Sequence, residues 1–330
     1  MVLKTAFTDL LSITHPVVCA PMVPEAGGAL AAAVSNAGGL GLIGGGTGGV
    51  QKVCNSGGPA DPERCEREIR VAVAQATKPW GIGFLTWALT PQVLEQALSH
   101  RPAAVLLNFG DPSPFTDLVH RAGSVLIVGV TDLDEARQAL AAGADVIVAQ
   151  GGEAGGHGGR RATLPFVPAV VDIAGSTPVL AAGGIADGRG LAAALALGAS
   201  GAMLGTRFVA SREAIVPPSA ATLILERRAE DTERHRVWDV AEGGYFPRKW
   251  SERTLRNPFF EKWRGREEEL EADNASREAY QHASDDGDPS VSCVFAGEAI
   301  DLITDIVPAA ELVERIVNQA EVALATASRC

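Results

Sequence analysis

Short apolar runs return along this chain at a fairly regular interval, and most are separated by a segment with helical spacing. The runs are PVVCAP near residue 16, GLGLIGG near 39, WGIGFL near 80, AAVLLNF near 103, SVLIVGV near 124, DVIVAQG near 145, PVLAAGG near 178 and GAMLGTRF near 201. Continuous Val, Ile and Leu without polar alternation is the pattern of strands buried on both faces. Between them, GGALAAAVSNAGG, TPQVLEQALSHR, TDLDEARQALAAG and DGRGLAAALALG read as helices, several with Thr or Asp ahead and Gly behind. Apolar strands alternating with amphipathic helices form right-handed βαβ units and hence a parallel sheet. Eight such strands are the count for a closed (β/α)8 barrel, the TIM barrel. A doubly wound sheet would need about six strands and a G-x-G-x-x-G after the first. Here the first strand ends in APM and the glycine pairs that could hold a phosphate come late, so the barrel is the better fit.

From about residue 213 the pattern changes to a highly charged stretch that carries Trp238, Trp250 and Trp263. It predicts a smaller, mostly helical cap over 213–289, inserted in a barrel formed by 1–212 and 290–330. Within it, EKWRGREEELEADNASREAYQHA reads as helix with its charges on a solvated face. The last segment, from AGEAIDLITDIVP onward, is an amphipathic return to the barrel with Pro308 near a helix start.

Composition narrows the function classes. A chain of 330 residues with 46% hydrophobic and 21% charged residues is ordinary for a globular enzyme. A net charge of −12 argues against nucleic acid or an anionic membrane surface as partner, though not against a small anion in a local site. Cys19, Cys54, Cys65, Cys293 and Cys330 are odd in number and form no C-x-x-C pair, which predicts a reducing compartment rather than a disulfide framework. The opening MVLKTAFTDLLSITHPVV is a poor secretory leader, and no run of about eighteen apolar residues appears. A cytoplasmic location is the expectation.

Barrel enzymes bind ligands at the carboxyl ends of their strands, with phosphates near the seventh and eighth. The seventh run ends in Gly183 and Gly184 before a helix, and the eighth in Gly205 and Thr206. Backbone N–H groups at both ends, with the Thr206 hydroxyl, suit a phosphate at a helix N-terminus. Met22 at the end of the first strand fits either core packing or contact with a flat ligand. Asn108 and Gln150, ending the fourth and sixth, either cap backbone groups or read a ligand's donors and acceptors. Gln150 lies at the start of AQGGEAGGHGGRR, residues 149–161, in which glycines on both sides free His157 to project into a cavity. Neutral imidazole can take a proton from carbon or oxygen there. The remaining histidines, His15, His100, His120, His235 and His282, read as structural. No H-x-x-H, H-E-x-x-H or cysteine cluster suggests a metal, and no G-x-S-x-G suggests a serine hydrolase.

Taken together, APM with LAAAVSNAGGLGLIGGG, VIVAQGGEAGGHGG, PVLAAGGIADGRGLAAALALGASGAMLGTRF and LRNPFFEKWRGR resemble the nitronate monooxygenases, formerly 2-nitropropane dioxygenases. The resemblance runs over nearly the whole chain. It implies FMN across the strand ends, with its phosphate on Gly183, Gly184, Gly205 and Thr206. Its ring would lie near Pro21, Met22, Asn108 and Gln150, with Gly155, Gly156 and Ala182 also touching the cofactor. His157 matches the family's catalytic histidine. The implied reaction is oxidation of an alkyl nitronate or nitroalkane by O2 to a carbonyl compound and nitrite. Related flavin barrels share these motifs, so the alternatives are an NAD(P)H-dependent reductase of a quinone or enoyl thioester, or a non-catalytic flavin-binding relative. Cap residues such as Tyr245, Phe246 and Trp250 are expected to wall the pocket, and the protein to be a monomer or homodimer. One departure stands out: many relatives carry Lys or Gln on the fifth strand, where this chain has Gly129.

Overall fold

The computed structural model describes residues 3–47, 63–285, 288, 290–291 and 293–329, so Cys54 and Cys330 lie outside the described residues. All eight apolar runs are strands: β1 (Val17–Cys19), β2 (Leu40–Gly46), β3 (Trp80–Leu85), β4 (Ala104–Asn108), β5 (Val125–Val130), β6 (Val146–Gln150), β8 (Val179–Ala182) and β9 (Gly201–Leu204). They pair in parallel in that order, and β1 closes on β9 with Val18 opposite Met203. The expected (β/α)8 barrel is therefore the fold.

Alternate strand positions point inward. Val18, Leu42, Leu106, Ile127, Val148 and Leu180 form the barrel's inner cluster, and their neighbours face the outer helices. A short N-terminal helix, Ala6–Leu11, adds Phe7 and Leu11 to that inner cluster. The Thr5 hydroxyl donates to the carbonyl of Ser200, just ahead of β9, which sets this helix at the amino end of the barrel. That end is plugged by apolar side chains, which leaves the carboxyl end for a ligand. The closing helix, Ala309–Ala327, packs on helix Gly188–Ala196. The two backbones approach so closely that a Cβ on Gly188 would fall 2.2 Å from the carbonyl oxygen of Ile316.

The cap segment carries helices Pro218–Glu226, Val237–Ala241, Pro258–Trp263, Glu267–Ala272 and Asn274–Asp285, together with two strands not anticipated from the sequence. These are β10 (Thr232–His235) and β11 (Ser251–Leu255), which pair antiparallel. The other edge of β11 pairs with β7 (Gly156–Gly158), three residues of the glycine-rich stretch that follows β6. The glycine-rich segment thus contains a strand, because a partner edge from the cap satisfies its backbone. Trp238, Phe260, Trp263, Leu270 and Tyr280 form a separate cap core. Among the described residues no helix is long and apolar enough to cross a membrane.

Candidate active site

One cavity opens at the carboxyl ends of the strands, and the sequence-predicted residues converge on it. Pro21 and Met22 follow β1, Asn108 ends β4, Gln150 ends β6, Ala182 ends β8, and Gly183 and Gly184 follow it. Gly205 and Thr206 follow β9, while Gly155, Gly156 and His157 come from the stretch containing β7. All line the same space, although their sequence positions span most of the chain.

Gly183 and Gly184 have φ of +98° and +71°, a region that disfavours any residue with a Cβ. The Thr206 hydroxyl oxygen accepts from the Gly297 amide at 3.0 Å, which leaves its hydrogen free to donate. The expected helix N-terminus is present at Gly205 and Thr206, where helix Thr206–Val209 starts with Gly205 at its N-cap and no side-chain cap, but it does not lie beside Gly183 and Gly184. Helix Gly188–Ala196 begins four residues after Gly184, and the Asp187 carboxylate accepts from the Arg189 and Gly190 amides. That end is already capped and carries a negative charge, so an anion at this rim would meet the strand-end backbone and the start of helix Thr206–Val209 instead.

Asn108 and Gly129 face each other on β4 and β5. A Cβ on Gly129 would fall 1.6 Å from Asn108 Oδ1, so the amide of Asn108 fills the space that a side chain on β5 would take. Gln150 turns towards the glycine-rich segment and donates from Nε2 to the carbonyl of His157 at 2.8 Å. Of the two alternatives the sequence offered for Gln150, this contact is the backbone-capping one.

His157 is held on several sides. Its ring stacks on Phe246 with centroids 3.5 Å apart and planes inclined by 9°. Its Nε2 lies 2.8 Å from Asp239 Oδ1 and 3.9 Å from Glu252 Oε2. The Asp239 contact fixes the ring and makes Nε2 the protonated nitrogen, so Nδ1 carries the lone pair. Glu252 Oε1 accepts from the amides of Trp238 and Asp239 at the start of helix Val237–Ala241. Burial pushes the Glu252 carboxyl well above the usual carboxylate range, and the charges of Asp239 and Glu242 push it further the same way.

Behind the glycine-rich segment lies Arg234 of β10. Its guanidinium donates to the carbonyls of Gly152, Ala154, Gly156, Gly158 and Ser251. Burial, and Arg253 close by, push its pKa down to about 10, so it stays charged at neutral pH. Arg253 of β11 adds a bond from Nε to Gly152 O and an ion pair with Glu298. Glu25 also lines the cavity, and its enclosure pushes the carboxyl up to about 7.

The expected cap walls are only partly realised. Phe246 lines the cavity, but Trp250 packs behind it against Phe109 and donates from Nε1 to Glu135. Tyr245 is 61% exposed and does not line the cavity. Sequence reading missed Asp239, Glu252 and Arg234. The available signal was the repeated pair TERH and SERT, two short runs that end up as neighbouring strands. His235 is structural as expected, though on a strand: its Nδ1 accepts from Val237 N, its Nε2 contacts Thr254 Oγ1, and burial lowers it to about 3.

The nitronate monooxygenase family model matches residues 4–92 and 87–319. The nitronate monooxygenase npaC of Metarhizium robertsii is 34% identical over 93% of this chain and 91% of its own length. A 5-hydroxy-7a-methyl-1-oxo-octahydro-1H-indene-4-carboxyl-CoA dehydrogenase of Rhodococcus jostii is 35% identical over 70% of this chain, which spans 62% of that relative's length. Among solved structures, nitroalkane oxidase from Streptomyces ansochromogenes superposes with a TM-score of 0.77 at 26% identity, covering 98% of this chain and 100% of that one. A closed barrel, a histidine presented at its carboxyl end and a family match over nearly all its length lead to one assignment: this chain belongs to the nitronate monooxygenase family of oxidoreductases.

Proposed function

We propose that this protein oxidises alkyl nitronates, and the nitroalkanes from which they form, with O2 to a carbonyl compound and nitrite, using FMN. The observation that carries the reading is His157, fixed through Nε2 by Asp239 and bordering a cavity rimmed by the strand-end glycines. FMN suits the residues present. Gly183 and Gly184, both at positive φ, bring bare backbone to the cavity wall, and the Thr206 hydroxyl lies on the same wall. Pro21, Met22, Asn108 and Gln150 line the same cavity for the ring. The flavin, when bound, supplies the electron-accepting and oxygen chemistry.

The chain's own residues bind, orient and move a proton. Phe109, Phe246 and Phe295 make the cavity near His157 apolar, which excludes water and strengthens polar contacts inside. With a neutral nitroalkane, His157 Nδ1 takes the proton from the carbon bearing the nitro group, and the electron pair of that C–H bond becomes part of the nitronate. With a pre-formed nitronate that step is already complete. His157→Asn should therefore lower nitroalkane turnover by roughly 10²- to 10⁴-fold and affect nitronate much less, at unchanged flavin content. Steady-state kinetics with both substrates decide it; equal activity of the variant on nitroalkane would remove His157 as base.

A second reading, reduction of a flavin by NAD(P)H for use on an enoyl thioester or quinone, has in its favour the CoA-thioester dehydrogenase among the relatives. Anaerobic mixing separates the two. Bleaching of the flavin by nitronate and not by NADH or NADPH supports the first, and the reverse supports the second.

A further inference from the structure

The cap brings two buried carboxyl groups to one histidine, which raises the question of where the protons reside. The side chains of His157, Asp239 and Glu252 are 8%, 1% and 0% exposed, and one ligating atom from each falls within 4.8 Å of the others. If both carboxyls were ionised, the resting site would hold two negative charges away from water, a costly arrangement. Arg236 forms an ion pair with Asp239 at 3.8 Å, which favours charge on Asp239, whereas His235, 3.9 Å from Glu252, is neutral. Glu242 adds a further negative group, Cys293 nearby is held as a neutral thiol, and Arg234 is engaged by backbone carbonyls.

We propose that Asp239 and Glu252 work as a proton-holding pair behind His157. Asp239 is the ionised member that fixes the imidazole through Nε2, and Glu252 is a permanently neutral acid that keeps the negative charge single. The inference deepens the reading of His157 as base and rests on it. The geometry divides the roles. Asp239 Oδ1 is in hydrogen-bond contact with His157, whereas Glu252 is not. Glu252 Oε1 takes two backbone amides, so its proton belongs on Oε2, the oxygen nearer His157. When His157 Nδ1 accepts the substrate proton, the imidazolium faces one carboxylate and one neutral acid. The trio goes from a net charge of minus one to zero, and no proton need leave during the step. Both are positioning residues, since neither lines the cavity.

The test uses the flavin-loaded full-length protein and readouts besides turnover. Difference infrared spectra of unmodified protein against Glu252→Gln should show one protonated carboxyl stretch at neutral pH that the variant lacks. Nitrogen NMR of His157 should show Nε2 protonated and Nδ1 bare, and Asp239→Asn should disturb that tautomer. Asp239→Asn should lower nitroalkane turnover by about 10²-fold or more while largely sparing nitronate. Glu252→Gln, the isostere of the neutral acid, should leave the His157 tautomer as it is in the unmodified protein. The proposal is overturned if the carboxyl stretch is absent, if Glu252→Gln disturbs the His157 tautomer as Asp239→Asn does, or if the purified protein holds a stoichiometric metal ion on these side chains. If the infrared and NMR signatures appear as expected but Asp239→Asn and His157→Asn both keep full nitroalkane turnover, the pair stands and the base reading falls.

Discussion

At the scale of single residues, Asn108 and Gly129 work as one unit. The amide of Asn108 lies where a β5 side chain would begin, so the missing polar group on β5 is matched by a polar group arriving from β4. Gly129→Gln alone should overpack this corner at a cost of about 1–3 kcal/mol and push Asn108 from its place. Adding Asn108→Ala should recover much of that loss, because the two changes share one volume. Thermal unfolding of the four proteins in the cycle, with flavin absorbance recorded alongside, checks this; additive effects would mean that the residues act independently. The pairing was invisible in sequence. Gly129 read as a bare loss because its neighbour across the sheet was twenty-one positions away in another strand.

Elements show why part of the site was legible and part was not. Pro21, Asn108, Gln150, Gly183 and Thr206 each sit where an apolar run stops, and a strand's end is a local property of its own sequence. Barrel closure then collects such ends at one rim. The cap groups carry no such mark. Asp239, Glu252 and Arg234 lie in charged stretches that look like solvated faces, and only antiparallel pairing of β10, β11 and β7 buries them. Among these, Arg234 acts on an element rather than on substrate. Its replacement by Met would leave several buried carbonyls without their donor, and a loss of about 3 kcal/mol or more is expected. Arg234→Lys should recover only part of this, because an ammonium has three donors and no planar fork. Chemical denaturation and turnover measured together test it, and an Arg234→Met protein of normal stability and activity would refute the clamp.

For the whole molecule, buried acids make stability depend on pH in an unusual direction. Glu25 titrates near 4.5 in an unperturbed setting and is raised to about 7 by enclosure in the cavity wall. Between those values the folded chain holds a proton that the unfolded chain has released, so stability falls as pH rises. The contribution is complete below about 4.5 and is lost as pH passes about 7. Glu252 shifts the same way. Glu25→Gln should thus gain roughly 1–3 kcal/mol relative to the parent at pH 8 and little at pH 5, less whatever contact with cavity water restores to the charge. Unfolding curves at the two pH values measure this, and a pH-independent difference would exclude Glu25 as the source.

The strand β7 has a consequence for how the molecule comes into being. His157 lies between two barrel strands in sequence, yet the carboxylate that orients it is 82 residues further along. The barrel is built largely from neighbours in sequence, whereas this pairing closes a long loop and is entropically the more expensive contact to make. A nascent chain would emerge with all eight barrel strands before the cap edge that β7 needs. Catalytic competence is then the last property acquired on folding and the first to disappear on partial opening. Lesions scattered through the cap, far from any ligand, would surface as proteins that still carry cofactor but turn nothing over.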